Sequence, residues 1–141
     1  GGGAYQNGDR LAVSGVDRLD RCAVSLGFWT KSAPDPFLFA AKNLTEARSD
    51  VRRLGSACLG LAYVAAGHTE GFWQWLINSW DVAAGILLVR EAGGRTSPFF
   101  EAGGLEGPRP LLATNAALAE PLALQVGASW DPVAVRSRSH P

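Results

Sequence analysis

The segment "RLAVSGV" alternates apolar and polar side chains, which places Leu11 and Val13 on one face of a half-buried strand. The residues before it close that strand into a hairpin, because Asn7-Gly8 takes the positive backbone angles of a tight turn without strain. "RCAVSLGFW" reads as a second strand. The prolines of "SAPDP" then break the chain, since each disfavours helix in the residue before it. The spacing of Phe37, Ala40, Ala41 and Leu44 in "FLFAAKNLTEARSD" predicts a helix packed on a sheet.

"SDVRRLG" is a short extended piece leading into "SACLGLAYVAAG", which is apolar nearly all round and predicts a buried helix closed by Gly67. "TEGFWQWLI" predicts a strand whose aromatics suit a pleated surface. Ser79 is the expected N-cap of a helix from Trp80 to Ala92, stopped by Gly93-Gly94. Two short strands follow, in "RTSPF" and "PLLATN", separated by the Gly-rich "EAGGLEGPRP". A last helix, "AALAEPLALQV", is either kinked at Pro121 or begins there. This order of elements is that of a mixed α/β (α+β) layered domain, a sheet flanked by helices.

Composition narrows the picture. The 141 residues suffice for one domain with a core, and 47% hydrophobic against 18% charged content is that of a folded chain. Thirteen basic and thirteen acidic side chains cancel, so neither nucleic acid nor an anionic membrane is an expected partner. No apolar run is long enough to span a bilayer and no signal peptide is evident, which gives a cytoplasmic expectation. Cys22 and Cys58 fit no metal or redox spacing and are expected as buried thiols. The terminal "RSRSH" reads as a solvated basic end, and His140 within it carries no signal. The chain contains no Met, which fits a piece of a longer protein.

Several residues are candidates for chemistry. Asp81, near the start of its helix, is favoured there by the helix dipole alone, and is equally a carboxylate suited to a hard metal ion. Gly55, Ser56 and Ala57 open the preceding helix, where free N–H groups and small side chains make an anion or hydroxyl site. The plainer role for Ser56 is an N-cap. Gln74 either bonds a substrate hydroxyl or is the solvent-facing residue of its strand, while Trp73 and Trp75 are expected to pack. His68 is expected to be exposed at a helix end, and Arg90 and Glu91 to form structural ion pairs. No nucleophile triad, phosphate-cradling lysine loop or dinucleotide fingerprint is present.

Taken together, "GSACLGLAYVAAGHTEGFWQWLINSWDVAAGILLVREAGG" resembles the C-terminal half of the inositol monophosphatase family. The family's Trp-Asp-x-Ala-Ala-Gly is matched by Trp80, Asp81, Ala83, Ala84 and Gly85, and its Glu-Ala-Gly-Gly by Glu91 to Gly94. The opening "GGGAYQNGDRLAVSG" is similar to the family's Gly-rich hairpin, and "LLATN" to the strand before its final helix. The resemblance covers residues 1–126 and leaves 127–141 as an irregular tail. It implies hydrolysis of phosphate monoesters of small metabolites, of the inositol monophosphate or histidinol phosphate type, with Mg²⁺. It implies further that Asp81 is a metal ligand touching substrate, and that Gly55, Ser56, Ala57 and Gln74 bind substrate.

Two departures are in the pattern itself: Gln74 stands where inositol-cleaving members have Glu, and Glu70 where Asp is usual. A third is larger. The family's Glu-Glu and Asp-Pro-x-Asp-Gly-Thr segments, which supply the other metal carboxylates and orient the attacking water, are absent. A missing N-terminal half is therefore an expected partner, a homodimer is common in the family, and little hydrolysis is expected from this chain alone. The alternative is a non-catalytic binding or assembly domain that kept the fold.

Overall fold

The computed structural model describes residues 1–137. A hairpin of β1 (Tyr5–Gln6) and β2 (Asp9–Arg10) opens the chain and turns through Asn7 and Gly8 at φ 54° and 94°. Both strands are only two residues long. The expected strand through Leu11 and Val13 does not form. Their amides bond the carbonyls of Ala4 and Ala92 instead of a partner strand, although both side chains do pack on the core.

The central sheet has five strands, β3 (Ala23–Leu26), β4 (Asp50–Arg52), β5 (Gly71–Ile77), β6 (Arg95–Thr96) and β7 (Arg109–Thr114). Their spatial order is β4-β3-β5-β7-β6. The first three run parallel, and β7 pairs antiparallel with both β5 and β6, so the sheet is mixed. Helices α1 (Asp35–Glu46), α2 (Ala57–Ala65) and α3 (Ser79–Glu91) connect the strands, and α4 (Ala119–Val126) follows the last of them.

Strand alternation divides the interior into two cores. Phe72 and Leu111 point toward α2 and α3, where they join Leu61, Val64, Val82, Ile86 and Val89. Trp73 and Leu112, one residue later on the same strands, point the other way to Val24, Leu26, Ala40, Leu44, Leu118 and Leu122. The fold is thus a three-layer α/β/α arrangement. Two glycines make the α2–α3 layer tight. A Cβ on Gly60 would meet the Phe72 ring at 2.5 Å, and one on Gly85 would lie 2.7 Å from the Leu61 Cβ.

Several boundaries shift for local reasons. Helix α1 begins two residues before Phe37, because Pro34 sits at the N-cap and Pro36 in the first turn, where a missing N–H costs nothing. Asn78 rather than Ser79 precedes α3, and no side chain caps it. Asp81 is therefore the third residue of that helix. Pro121 falls in the first turn of α4, so that helix begins close to the proline and needs no kink there. Residues 127–141 were expected to be irregular, but α5 (Pro132–Ser137) forms there and buries Val135. Arg136 of α5 pairs with Glu106 at 2.8 Å, so that part of the basic end is anchored. His140 lies outside the described residues.

Cys22 is buried as expected, donating to Ser49 Oγ at 3.3 Å, and burial pushes its thiol pKa up. Cys58 is exposed, which corrects the expectation for it. The apolar character of α2 suggested cover on every side, and the structure covers only one. Likewise α3 presents Trp80, 79% exposed, with Ala83, Ala84 and Leu87 to solvent at helical spacing, beside Leu59 of α2. Maleimide will modify Cys58 in the folded chain and leave Cys22 untouched until denaturant is added. Equal rates at the two thiols, followed by mass spectrometry, would contradict this burial.

Candidate active-site cleft

Asp81, Gly55, Ser56, Ala57 and Gln74 stand on three separate elements, and all five line one cleft of about 340 Å³. The fold explains the convergence. The parallel strands β3, β4 and β5 end on the same edge of the sheet, and the chain leaves them through Gly27–Phe28, Arg53–Ser56 and Asn78. Open α/β sheets bind ligands outside the carboxyl ends of their strands. Here that edge also receives the N-termini of α2 and α3, so two helix dipoles present their positive ends to the cleft.

At the start of α2, Gly55 has φ +74°, a conformation that favours glycine, and Ser56 is the N-cap with its Oγ accepting from the Leu59 N–H at 3.3 Å. The plainer reading of Ser56 as a cap is therefore realised, and its position on the cleft keeps the second role open. Asp81 lies in the first turn of α3, half-buried. Its backbone carbonyl is 3.2 Å from the Cys58 thiol, which ties the two helix starts together.

Gln74 is set by an irregularity in β5. The pairing of β5 with β7 is regular up to Gln74–Leu111 and shifts before Ile77, and such bulges bend a strand and re-aim its side chains. Gln74 Nε2 donates to the Leu76 carbonyl at 2.8 Å within that irregular stretch. The carboxamide lies flat over Gly27, where any Cβ would collide with its Oε1. Trp73 is buried and Trp75 is packed against the same core, as expected for packing residues. Glu70 is also structural: its carboxylate accepts the Ala23 N–H at 2.6 Å while its own N–H bonds the Ala23 carbonyl, latching β5 to β3.

Other expectations fall away from the cleft. His68 is exposed, stacked edge-on against Tyr63 at 5.5 Å, and lines a different groove with Tyr5 and Leu59. Arg90 bonds Thr96 Oγ1 at 2.9 Å rather than entering an ion pair. Glu91 holds the opening segment by accepting the Gly3 N–H at 2.7 Å.

Three cleft residues were not anticipated. Phe28 and Trp29 line the cleft with aromatic rings, and the exposed Cys58 lines it beside Asp81. Their signal was position: Phe28 and Trp29 directly follow a parallel strand, and Cys58 is the second residue of a helix already singled out. Asn115 was also missed. Buried at the end of β7, it donates to the carbonyls of Ser14 and Val16 at 2.9 and 2.7 Å and accepts from the Leu118 N–H at 2.9 Å.

Among the described residues, Asp81 is the one carboxylate lining the cleft, and no three His, Cys, Asp or Glu side chains gather as a metal-holding group. Asp81 suits a hard cation as one ligand. By itself it is too small a donor set for Mg²⁺.

The family model for the inositol monophosphatase family matches residues 1–130. The chain belongs to that family. An inositol-1-monophosphatase of Mesorhizobium japonicum is 46% identical over 99 residues, covering 69% of this chain and 37% of the relative. The protein named Nus factor SuhB in Pseudomonas aeruginosa is 43% identical over 103 residues, 70% of this chain and 38% of its own length. The crystal structure of the extragenic suppressor protein suhB from Bartonella henselae superposes with a TM-score of 0.78 at 37% identity, covering 89% of this chain and 50% of that one. The fold is thus that of the C-terminal half of inositol monophosphatase family proteins. The chain spans well under half the length of the curated relatives it matches. No described helix is long and apolar enough to cross a membrane.

Proposed function

We propose that this chain supplies one metal carboxylate and the substrate-binding rim of a Mg²⁺-dependent phosphomonoesterase that acts on small phosphorylated metabolites in the cytoplasm. The observation that carries the reading is the convergence of Gly55, Ser56, Ala57, Gln74 and Asp81 on one cleft at the carboxyl edge of the sheet. Asp81 is the metal ligand. The amides at the start of α2 hold substrate oxygens by direct donation and by the helix dipole. Gln74, neutral where inositol-cleaving members carry a carboxylate, reads an alcohol group of the substrate and leaves the choice between inositol and histidinol phosphates to shape and hydrogen bonding.

The donor set within residues 1–137 does not complete a metal site, so no step of hydrolysis is assigned to this chain alone. The remaining ligands come from polypeptide equivalent to the half of the family fold that this chain does not match, and a homodimer is compatible with this reading. Purified, the chain will release no phosphate from inositol 1-phosphate above background with Mg²⁺ present. Robust Mg²⁺-dependent release, abolished by Asp81→Asn, would sink this division of labour.

The relative named as a Nus factor gives one reason for a second reading, a binding or assembly domain without catalysis. Substrate analogues that bind the cleft with no Mg²⁺ dependence, even when the chain is joined to the other half of the fold, would favour it.

A further inference from the structure

Trp29 differs from the other tryptophan beside the cleft in what covers it. Trp73, on the neighbouring strand, is 1% exposed, whereas Trp29 keeps 38% of its surface open and lines the cleft. A tryptophan left open in a concave site offers a wide flat face to whatever enters. Its backbone is tied down. The Trp29 carbonyl accepts both the Ser32 N–H at 2.9 Å and the Ser32 hydroxyl at 2.7 Å. Phe28, one residue earlier, lines the same cleft and is braced by Phe37 of α1, with ring centroids 5.3 Å apart.

The turn that carries these rings is packed against Gln74. The Gly27 N–H bonds the Trp73 carbonyl at 2.8 Å, so the chain stays paired with β5 one residue past the end of β3. A Cβ on Gly27 would lie 2.7 Å from the carboxamide carbon of Gln74, which measures how closely the two groups approach. Gln74 Nε2 donates to the Leu76 carbonyl at 2.8 Å, and this bond holds the side chain back along its own strand. An ionised carboxylate has no hydrogen to donate and would be repelled by that carbonyl oxygen. Glutamine therefore makes a brace at position 74 that glutamate cannot. Its second Nε2 hydrogen remains for a substrate oxygen.

The other walls indicate what the rings are for. Asp81 is the one charged side chain lining the cleft, the Ser56 oxygen is engaged as a helix cap, and Ala57 and Ile77 add apolar surface. An alcohol carrying many hydroxyls would give up water there for few partners. A flat unsaturated ring loses little and gains two aromatic faces.

We propose that Trp29 is a specificity-determining residue, the platform for a flat ring on the alcohol half of the substrate, and that Gln74 is the positioning residue that holds its turn in place. This rests on the reading of the cleft as a phosphomonoester site, with the phosphate toward Asp81 and the ring toward Trp29 and Phe28. Neither Trp29 nor Gln74 takes part in bond cleavage.

The test is an isotope-edited NMR titration of the chain with benzyl phosphate, cyclohexylmethyl phosphate and glycerol 1-phosphate, at a pH where all are dianions. Benzyl phosphate is expected to bind about tenfold tighter than glycerol 1-phosphate, to exceed the saturated ring severalfold, and to shift the Trp29 indole N–H. Trp29→Ala removes both preferences and Trp29→Phe keeps part of them. Gln74→Glu moves the Trp29 indole resonance in the free chain and lowers the benzyl preference, a ratio that the added charge leaves alone because the probes carry equal charge. Equal affinities for the two rings, a preference that survives Trp29→Ala, or no shifts from any probe at millimolar concentration would overturn the platform. A Gln74→Glu chain with resonance and ratio unchanged would remove the positioning role. The phosphatase reading is tested separately, by Mg²⁺-dependent phosphate release when the chain is joined to the other half of the fold. Release that needs Asp81, with no ring preference, keeps that reading and removes the platform. Ring preference without such release does the reverse.

Discussion

Asp81→Asn will lower Mg²⁺-dependent phosphate release by roughly 100-fold or more once the metal site is complete. The experiment is a chimera in which the half of the Mesorhizobium japonicum relative not matched here precedes residues 1–141. Phosphate release from inositol 1-phosphate is then compared with and without the substitution. Asn keeps the size of Asp81 and its place in the first turn of α3, so folding should be unaffected. It removes the negative charge that a hard cation requires, and a neutral amide oxygen is a much poorer ligand for Mg²⁺. Loss at limiting Mg²⁺ that is partly recovered at high Mg²⁺ would identify the defect as one of metal affinity. An Asn variant as active as its parent at every Mg²⁺ concentration would remove Asp81 from the metal site.

Phe72→Ala will cost about 3–5 kcal/mol of folding stability, a large share of what a domain of this size possesses. The ring is 1% exposed at the centre of the α2–α3 core and fills the space that Gly60 leaves open. Removing it leaves a cavity that the surrounding elements cannot close by small shifts, because β5 is held on both sides by β3 and β7. Urea denaturation followed by far-UV circular dichroism gives the difference directly. Leu105→Ala, at a residue 77% exposed, serves as the control and should move stability by no more than about 0.5 kcal/mol. A Phe72→Ala loss as small as the control's would mean that this core is loosely packed.

The elements legible in the sequence were those whose evidence is local. The pattern of β5 and α3 needed only the aromatic run, the helical spacing and the Gly93-Gly94 stop, and both formed within a residue or two of expectation. The stretch after the hairpin failed for the opposite reason. Residues 11–16 are held by the carbonyls of Ala4 and Ala92 and by the side chain of Asn115, about a hundred positions away, and no local pattern records that. Cys58 misled in a related way. An apolar helix signals burial, but burial also depends on what stands opposite, and nothing within the described residues covers that side of α2.

The site divides along the same line. Asp81, Gln74 and the Gly55–Ala57 turn were identified through motif resemblance, and the structure brings them to one cleft. Phe28, Trp29 and Cys58 were missed because no motif marks them and only the fold brings them to the cleft.

The uncovered face of α3 has a consequence for the material in a tube. Trp80 and Leu87 put a greasy strip on a molecule whose thirteen positive and thirteen negative side chains leave it without net charge. Molecules lacking long-range repulsion approach freely, and those with a sticky strip remain together. This helix surface therefore lowers the concentration at which the polypeptide stays monodisperse, and acidic substitutions at Ala83, Ala84 and Leu87 would raise it without touching either core.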